Sequence, residues 1–69
     1  MHVDIIVYDG VDELDALGPY EVFSNATEAG ADIGVRLVGL GSTGRVRASH
    51  GIELGPVTTF EPDPDSWLL

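Results

Sequence analysis

The amino-acid sequence predicts an α/β fold with a mostly parallel sheet. Its first apolar run, Val3–Tyr8, is short, β-branched and almost continuous, as is typical of a strand that is buried on both faces of such a sheet. A helical segment follows. Asp32–Leu40 then alternates apolar residues with small or charged ones, which indicates a second strand. Strand, helix and strand in this order outline a right-handed βαβ unit.

Either the start of the helix or a sharp kink is predicted at Pro19, after at most one turn of α- or 3₁₀-helix within Val11–Leu17. Proline is favoured at the first helical position, and it disfavours the α conformation for the residue before it. Glu21 then lies in the first turn, beside the positive end of the helix dipole. Gly30 is expected to end the helix. The side chains expected to face the core are Val22, Phe23 and Ala26.

The second half of the chain predicts a β-hairpin and the start of a further strand. Residues 45–54 alternate polar and apolar side chains around Ser49-His50-Gly51, which has the composition of a tight turn. The arginines of the first arm are expected to pair with Glu53 in the second. A connector rich in Pro and Asp at 61–65 leads to Trp67-Leu68-Leu69, which we interpret as a buried strand that the sequence enters but does not complete.

The chain has 69 residues, so it forms one small domain at most, and a chain of this size buries only about 60% of its unfolded surface. It has no cysteine, which excludes a disulfide. His2 and His50 lie far apart in sequence, and no metal site is predicted. We therefore expect the chain to need partner surface, supplied by the rest of the same domain or by a companion chain.

The charge of this segment argues against two classes of partner. The chain has twelve acidic residues and only three basic ones, all arginine, which gives a net charge of −9. Nucleic-acid binding needs cationic side chains that neutralise phosphates, and docking to anionic lipid needs the same sign of charge. The composition is typical of a halophilic organism or, equally, of an acidic protein from a GC-rich genome.

The N-terminus does not have the pattern of a targeting signal. Met1-His2-Val3 is followed at once by Asp4, without a basic region or a long apolar region. No stretch approaches the roughly 20 apolar residues of a membrane span. Together with the absence of cysteine, this favours a cytoplasmic protein without a membrane partner.

A glycine motif, Gly39–Gly44, matches the G-x-G-x-x-G pattern of dinucleotide-binding loops. That function needs a helix directly after the loop, because the helix N-terminus holds the pyrophosphate. Here a strand is predicted instead. We therefore assign the glycines to a turn and predict no cofactor.

The acidic cluster Asp12, Glu13 and Asp15 follows the first strand, where open α/β folds place their ligands. Leu14, Ala16 and Leu17 are expected to anchor this loop to the core. A carboxylate in such apolar surroundings has a raised pKa and can act as a general acid or base, which makes Asp15 the candidate catalytic residue. The other reactive or aromatic residues are interpreted as structural: His50 in a turn, and Tyr20 and Phe23 in packing.

Asp12–Phe23, DELDALGPYEVF, closely resembles a signature of the DJ-1/PfpI superfamily. It is most similar to the branch of the isonitrile hydratases and of the amidase-like sensor domains of AraC-type transcription regulators. Members of that branch carry Leu-Asp-x-x-Gly-Pro after the first strand, matched here by Leu14–Pro19. Ser49–Ile52 and Thr59-Phe60 resemble the hairpin and the segment that leads to the next strand.

The resemblance implies a flavodoxin-like three-layer α/β/α sandwich, of which residues 1–69 form the N-terminal third, including a βα-β-hairpin part. It also implies a homodimer and a reactive Cys further along the chain, beside the acid that Asp15 matches. Gly18 is implied at the substrate pocket, because backbone without a side chain can approach a ligand closely. The sequence has no Cys, so the nucleophile would lie outside this chain.

The resemblance leaves three functions open. The first is a hydrolase or hydratase that acts on a small molecule, as isonitrile hydratases do. The second is a ligand-sensing domain of a transcription regulator without catalysis. The third is a redox-sensing or chaperone-like DJ-1 relative.

Overall fold

The computed structural model describes residues 1–41 and 44–69. The α/β class predicted from the sequence is confirmed: one helix and a five-stranded, mostly parallel sheet make up the described part. The elements are β1 (His2–Val7), α1 (Glu13–Glu28), β2 (Gly34–Gly39), β3 (Gly44–Arg47), β4 (Glu53–Thr59) and β5 (Ser66–Leu68). The strand order is β3-β4-β2-β1-β5, and only β3 runs antiparallel to its neighbour.

β1 is the best-buried strand of the sheet, as its continuous apolar pattern predicts. Because successive side chains of a strand point to opposite faces, Val3, Ile5 and Val7 share one face. All three belong to the core cluster against which Phe23 of α1 packs. Asp4 lies on the other face, with none of its surface exposed.

The buried Asp4 carboxylate is paired with Arg36, its register partner on β2. The guanidinium donates two hydrogen bonds, from Nε to Oδ1 at 2.9 Å and from Nη2 to Oδ2 at 3.0 Å. Bidentate geometry of this kind is among the strongest that a carboxylate can find inside a protein. The pair therefore joins the two central strands of the sheet.

Residues 60–65 cover the face that carries Asp4. They connect β4, on one side of the sheet, with β5, on the other. Phe60, Pro62 and Asp63 line a small pocket together with Ser66 and Leu68, whose register partners are His2 and Asp4. In-register residues of parallel strands share a face, so this crossing lies opposite α1. Connections between parallel strands are right-handed, so two connections on opposite faces of a sheet run in opposite directions across it. The connections from β1 to β2 and from β4 to β5 do so.

The helix starts earlier than Pro19, so the predicted start was wrong. α1 begins at Glu13, and the Asp12 side chain caps it by accepting a hydrogen bond from the Leu14 amide at 2.9 Å. Pro19 lies inside the helix. Its neighbour Gly18 has no Cβ to clash with the proline ring, which removes much of the cost of a helical residue before proline.

The helix face differs from the predicted one at Val22, whereas Phe23 and Ala26 are partly buried as predicted. Val22 is 64% exposed, whereas Ala16 is buried and Phe23 is half-buried against the core. An earlier start changes which residues belong to the helix, so the stripe that faces the sheet includes Ala16, which lies one turn before Pro19 and was assigned to the loop. Gly30 follows the helix with φ of +105°, which confirms it as the helix-ending residue.

The hairpin is confirmed, with β3 and β4 as its arms and residues 49–51 in its turn. Arg45 pairs with Glu53 at 2.9 Å, as predicted for one of the two arginines. The Gly39–Gly44 motif includes Ser42 and Thr43, which lie outside the described residues, but β3 follows it. The prediction of a strand after the motif, rather than the helix that a dinucleotide loop needs, is therefore confirmed.

β5 pairs with β1 as a parallel strand at the edge of the sheet. The prediction that Trp67-Leu68-Leu69 is buried was wrong for this chain, because the three side chains are 64%, 52% and 55% exposed. An edge strand has neighbours on one side only, so its apolar residues gain less cover than those of β1. The single helix of the described part, α1, is too short and too polar to cross a membrane.

Candidate functional site

The sheet order singles out the carboxyl end of β1 as the place for a ligand. From β1 the chain crosses to β2 on one side, and β5 is reached from β4 on the other side. In open α/β sheets, ligands bind at the carboxyl ends of the strands where the direction of the crossings reverses. That place lies between the carboxyl ends of β1 and β5, and the first turn of α1 follows β1 after a connection of residues 8–12.

Asp15 lies in this first turn and is exposed. Its charge is favourable there because the N-terminal end of a helix dipole is positive. The expectation of apolar surroundings was wrong: Leu14 and Leu17 are 76% and 42% exposed, and only Ala16 of the three is buried. Among the described residues, the Asp15 carboxylate accepts no hydrogen bond, so it remains available to a group from outside the chain.

Gly18 and Pro19 interrupt the helical hydrogen bonding next to Asp15. Proline has no N–H, so the carbonyl oxygen of Asp15, four residues earlier, lacks its usual helical donor. Gly18 is half-buried, and a Cβ placed on it would meet no atom within 4 Å. This stretch of α1 therefore has both an exposed acid and accessible backbone.

Glu13, not Asp15, is the sheltered member of the acidic cluster, with a side chain that is 13% exposed. Its carboxylate accepts three hydrogen bonds from the hairpin turn. Oε1 accepts from Ser49 Oγ at 2.8 Å and from His50 Nδ1 at 2.9 Å, and Oε2 accepts from the His50 amide at 2.9 Å. The turn is thereby joined to the start of α1.

Glu13 and His50 each stabilise the charged form of the other. The hydrogen bond from His50 holds the pKa of Glu13 at about 2, well below its usual 4.5, although burial opposes the shift. The bond and the charge of Glu13 raise the pKa of His50 above its usual 6.5. Glu13 is thus a carboxylate, and His50 is stabilised as an imidazolium.

Glu13, Ser49 and His50 do not form a catalytic triad. In a triad, the carboxylate binds one ring nitrogen and the serine binds the other. Here the Ser49 hydroxyl and the Glu13 carboxylate both contact Nδ1 of His50, at 3.1 and 2.9 Å. The Ser49 hydroxyl also donates to the carboxylate, so the arrangement holds the turn in place and does not activate a nucleophile.

Sequence spacing gave no signal for this cluster, because Glu13 and His50 are separated by 37 positions. Only the topology brings them together: the hairpin turn and the β1–α1 connection lie at the same edge. The Gly10 amide donates to the Arg47 carbonyl at 2.8 Å, and the Ser49 amide donates to the Val11 carbonyl at 2.9 Å. The interpretation of His50 as only a turn residue missed this role.

Two open depressions lie near these elements. A cleft of about 650 Å³ separates the β1–α1 connection from the hairpin turn, and Asp9, Arg47 and His50 line it. A more apolar groove of about 500 Å³ runs between α1 and β4, lined in part by Leu17 and Tyr20. Tyr20, predicted to pack, is 39% exposed in this groove. Asp15 and Gly18 line neither depression, so the described chain brings together no complete pocket around them.

No metal centre is evident within residues 1–41 and 44–69, where no group of three or more His, Cys, Asp or Glu side chains is placed to hold an ion. The two histidines, His2 and His50, lie on β1 and in the hairpin turn. Comparisons of the chain with protein-family models, with curated proteins and with solved structures found no significant match.

Proposed function

We propose that this chain is the N-terminal part of a DJ-1/PfpI-like hydrolase or hydratase that acts on a small molecule. Asp15 is the acid/base partner of a cysteine that residues outside this chain supply, and the backbone at Gly18 borders the substrate. The complete protein is a cytoplasmic homodimer. The proposal rests on the resemblance of Asp12–Phe23 to the family signature.

One structural observation supports it above all. Asp15 lies in the first helical turn after β1, at the carboxyl ends of β1 and β5, where the connections between strands change direction. Side chains that follow β5 would reach the same edge, because the Leu69 carbonyl accepts a hydrogen bond from the Ile6 amide at 3.0 Å. A site there would draw on the chain that follows β5 as well as on α1. This fits a site of which the present chain holds one half.

The implied chemistry is the addition of water to an isonitrile. Both O–H bonds of water break in turn: the oxygen bonds to the terminal carbon, one proton ends on that carbon and the other on the nitrogen, which gives an N-substituted formamide. A carboxylate can accept a proton from water or from a thiol and return it later, which is the role proposed for Asp15. Its exposed side chain, without a hydrogen-bond partner among the described residues, suits a proton carrier that must reach a substrate.

Replacing Asp15 with Asn in the complete protein is expected to lower kcat by about 10²–10⁴-fold, because the amide cannot take up a proton. The assay measures formamide release from an alkyl isonitrile. Asp12→Asn is the matched control: it removes a charge in the same turn but keeps a side chain that caps the helix. Undiminished turnover by the Asp15→Asn variant would contradict the role of Asp15.

Two further measurements on the complete protein, ligand binding and cysteine oxidation, separate the other functions that the resemblance leaves open. Saturable binding of a small molecule without turnover would favour a sensor domain of a transcription regulator. Oxidation of the cysteine to a stable sulfinic acid, again without hydratase activity, would favour a redox-sensing relative.

A further inference from the structure

We infer that Glu13 and His50 form a pH-sensitive latch that holds the hairpin turn against the first turn of α1. The latch joins parts of the chain that lie 36–37 positions apart in sequence. The inference is independent of the proposed function, because it involves no nucleophile and no substrate.

The exposure and the hydrogen bonds of Glu13 and His50 support the latch. The Glu13 side chain is only 13% exposed, whereas that of His50 is 80% exposed, so the sheltered carboxylate is the fixed part and the imidazole is the part that can move. A sheltered carboxylate needs donors, and the turn supplies all three that Glu13 accepts among the described residues. Two of them, the Ser49 hydroxyl and the His50 amide, do not titrate in the physiological range.

The charged groups around His50 determine in which direction its pKa shifts. Glu13 on α1 and Asp12 before it both favour the protonated ring of His50. From the other elements, Asp9 after β1 and Arg47 on β3 line the same cleft as His50, and the Asp9 carboxylate accepts from the Arg47 amide at 2.9 Å. Carboxylates thus outnumber guanidinium groups around the ring, so the surroundings stabilise the imidazolium relative to the neutral ring.

The latch has a defined pH window. The pKa of His50 is raised on folding, so its contribution is complete below about pH 6.5 and is lost as the pH rises through the higher value in the folded protein. The pKa of Glu13 is lowered, so its contribution is complete above 4.5 and is lost as the pH falls toward about 2. The pair therefore contributes its full stability between about pH 4.5 and 6.5.

Deprotonation of His50 loosens the turn without unfolding it. The Ser49 amide still donates to the Val11 carbonyl, and the Gly10 amide still donates to the Arg47 carbonyl. The imidazole, no longer attracted by charge, becomes free to leave Glu13. The wall of the cleft between the turn and the β1–α1 connection thus changes with pH, because His50 lines that cleft.

NMR of the isotope-labelled protein tests the latch by following the His50 ring resonances and amide exchange from pH 4 to 10. The midpoint for His50 is expected above 6.5. Through that midpoint, exchange of the His50 amide, corrected for its intrinsic rate, should accelerate relative to the Ala48 amide, which is bonded within the hairpin to Ile52. A midpoint at or below 6.5, or no change in relative exchange, would overturn the latch without any variant.

Two variants then assign the effect. Glu13→Gln is expected to move the His50 midpoint down toward 6.5, because the amide keeps the size of the side chain but loses its charge. Glu53→Gln is the matched control, since it removes a carboxylate from the hairpin that pairs with Arg45 and does not bind the turn. An unchanged midpoint in Glu13→Gln, or an equal shift in both variants, would show that His50 responds to net charge alone and would overturn the proposal.

Discussion

Replacing Arg36 with Leu is expected to lower the free energy of unfolding by about 3 kcal/mol, because it strands a buried carboxylate. Asp4 has no exposed surface, and its two oxygens accept from the guanidinium of Arg36. Removing one partner of a buried pair typically costs about 3–5 kcal/mol. We take the lower end because the Arg36 side chain is 42% exposed, so water screens part of the interaction.

Such a loss is large beside the roughly 5–15 kcal/mol by which folded domains are stable. Urea unfolding followed by circular dichroism measures it. The double variant Asp4→Leu/Arg36→Leu is the control, since it removes both charges and should recover most of the stability. If Arg36→Leu unfolds at the same urea concentration as the unchanged protein, the pair does not hold β1 to β2.

Replacing Ile5 with Ala is expected to cost about 2–5 kcal/mol, because it opens a cavity in the middle of the core. Ile5 is 2% exposed and lies at the centre of β1, which has a neighbouring strand on each side. A close-packed interior collapses only partly around a lost side chain, so both the transfer energy and the cavity contribute. The same urea experiment reports the change as a lower midpoint with an unchanged slope.

Ile52→Ala is the matched control for this prediction. The residue type and the substitution are the same, but Ile52 is 53% exposed in the connection between the hairpin arms. Surface substitutions of this kind usually change stability by less than about 0.5 kcal/mol. Equal effects of the two variants would mean that β1 does not form the centre of the core.

The strands could be predicted because each carries its own local signal. The continuous apolar run of β1 and the alternation in β2 and in the hairpin are set by burial on two faces or one. The helix start could not be placed as well, because two signals competed. Pro19 is a strong starting residue, but the Asp12 cap acts seven positions earlier and Gly18 lowers the cost of continuing through proline.

Only those features of the candidate site that depend on local sequence could be predicted. The position of Asp15 after β1 is a local property, and the structure places it in the first turn of α1. Its exposure is not local, since it depends on which residues pack over that turn. Likewise, the pairing of Glu13 with His50 arises from the return of the hairpin to the carboxyl end of β1, and no short-range pattern encodes it.

The most direct test of the central claim, that Asp15 acts with a cysteine outside this chain, is the denaturing intact mass of the protein purified from its natural source, with and without thiol alkylation. We predict a polypeptide that contains this sequence, exceeds 7.3 kDa and gains the mass of an alkyl group. A 7.3 kDa chain that copurifies with a larger companion protein, itself alkylated, would agree equally well. A single 7.3 kDa species that resists alkylation and has no companion would contradict it, because no thiol would then be available to Asp15.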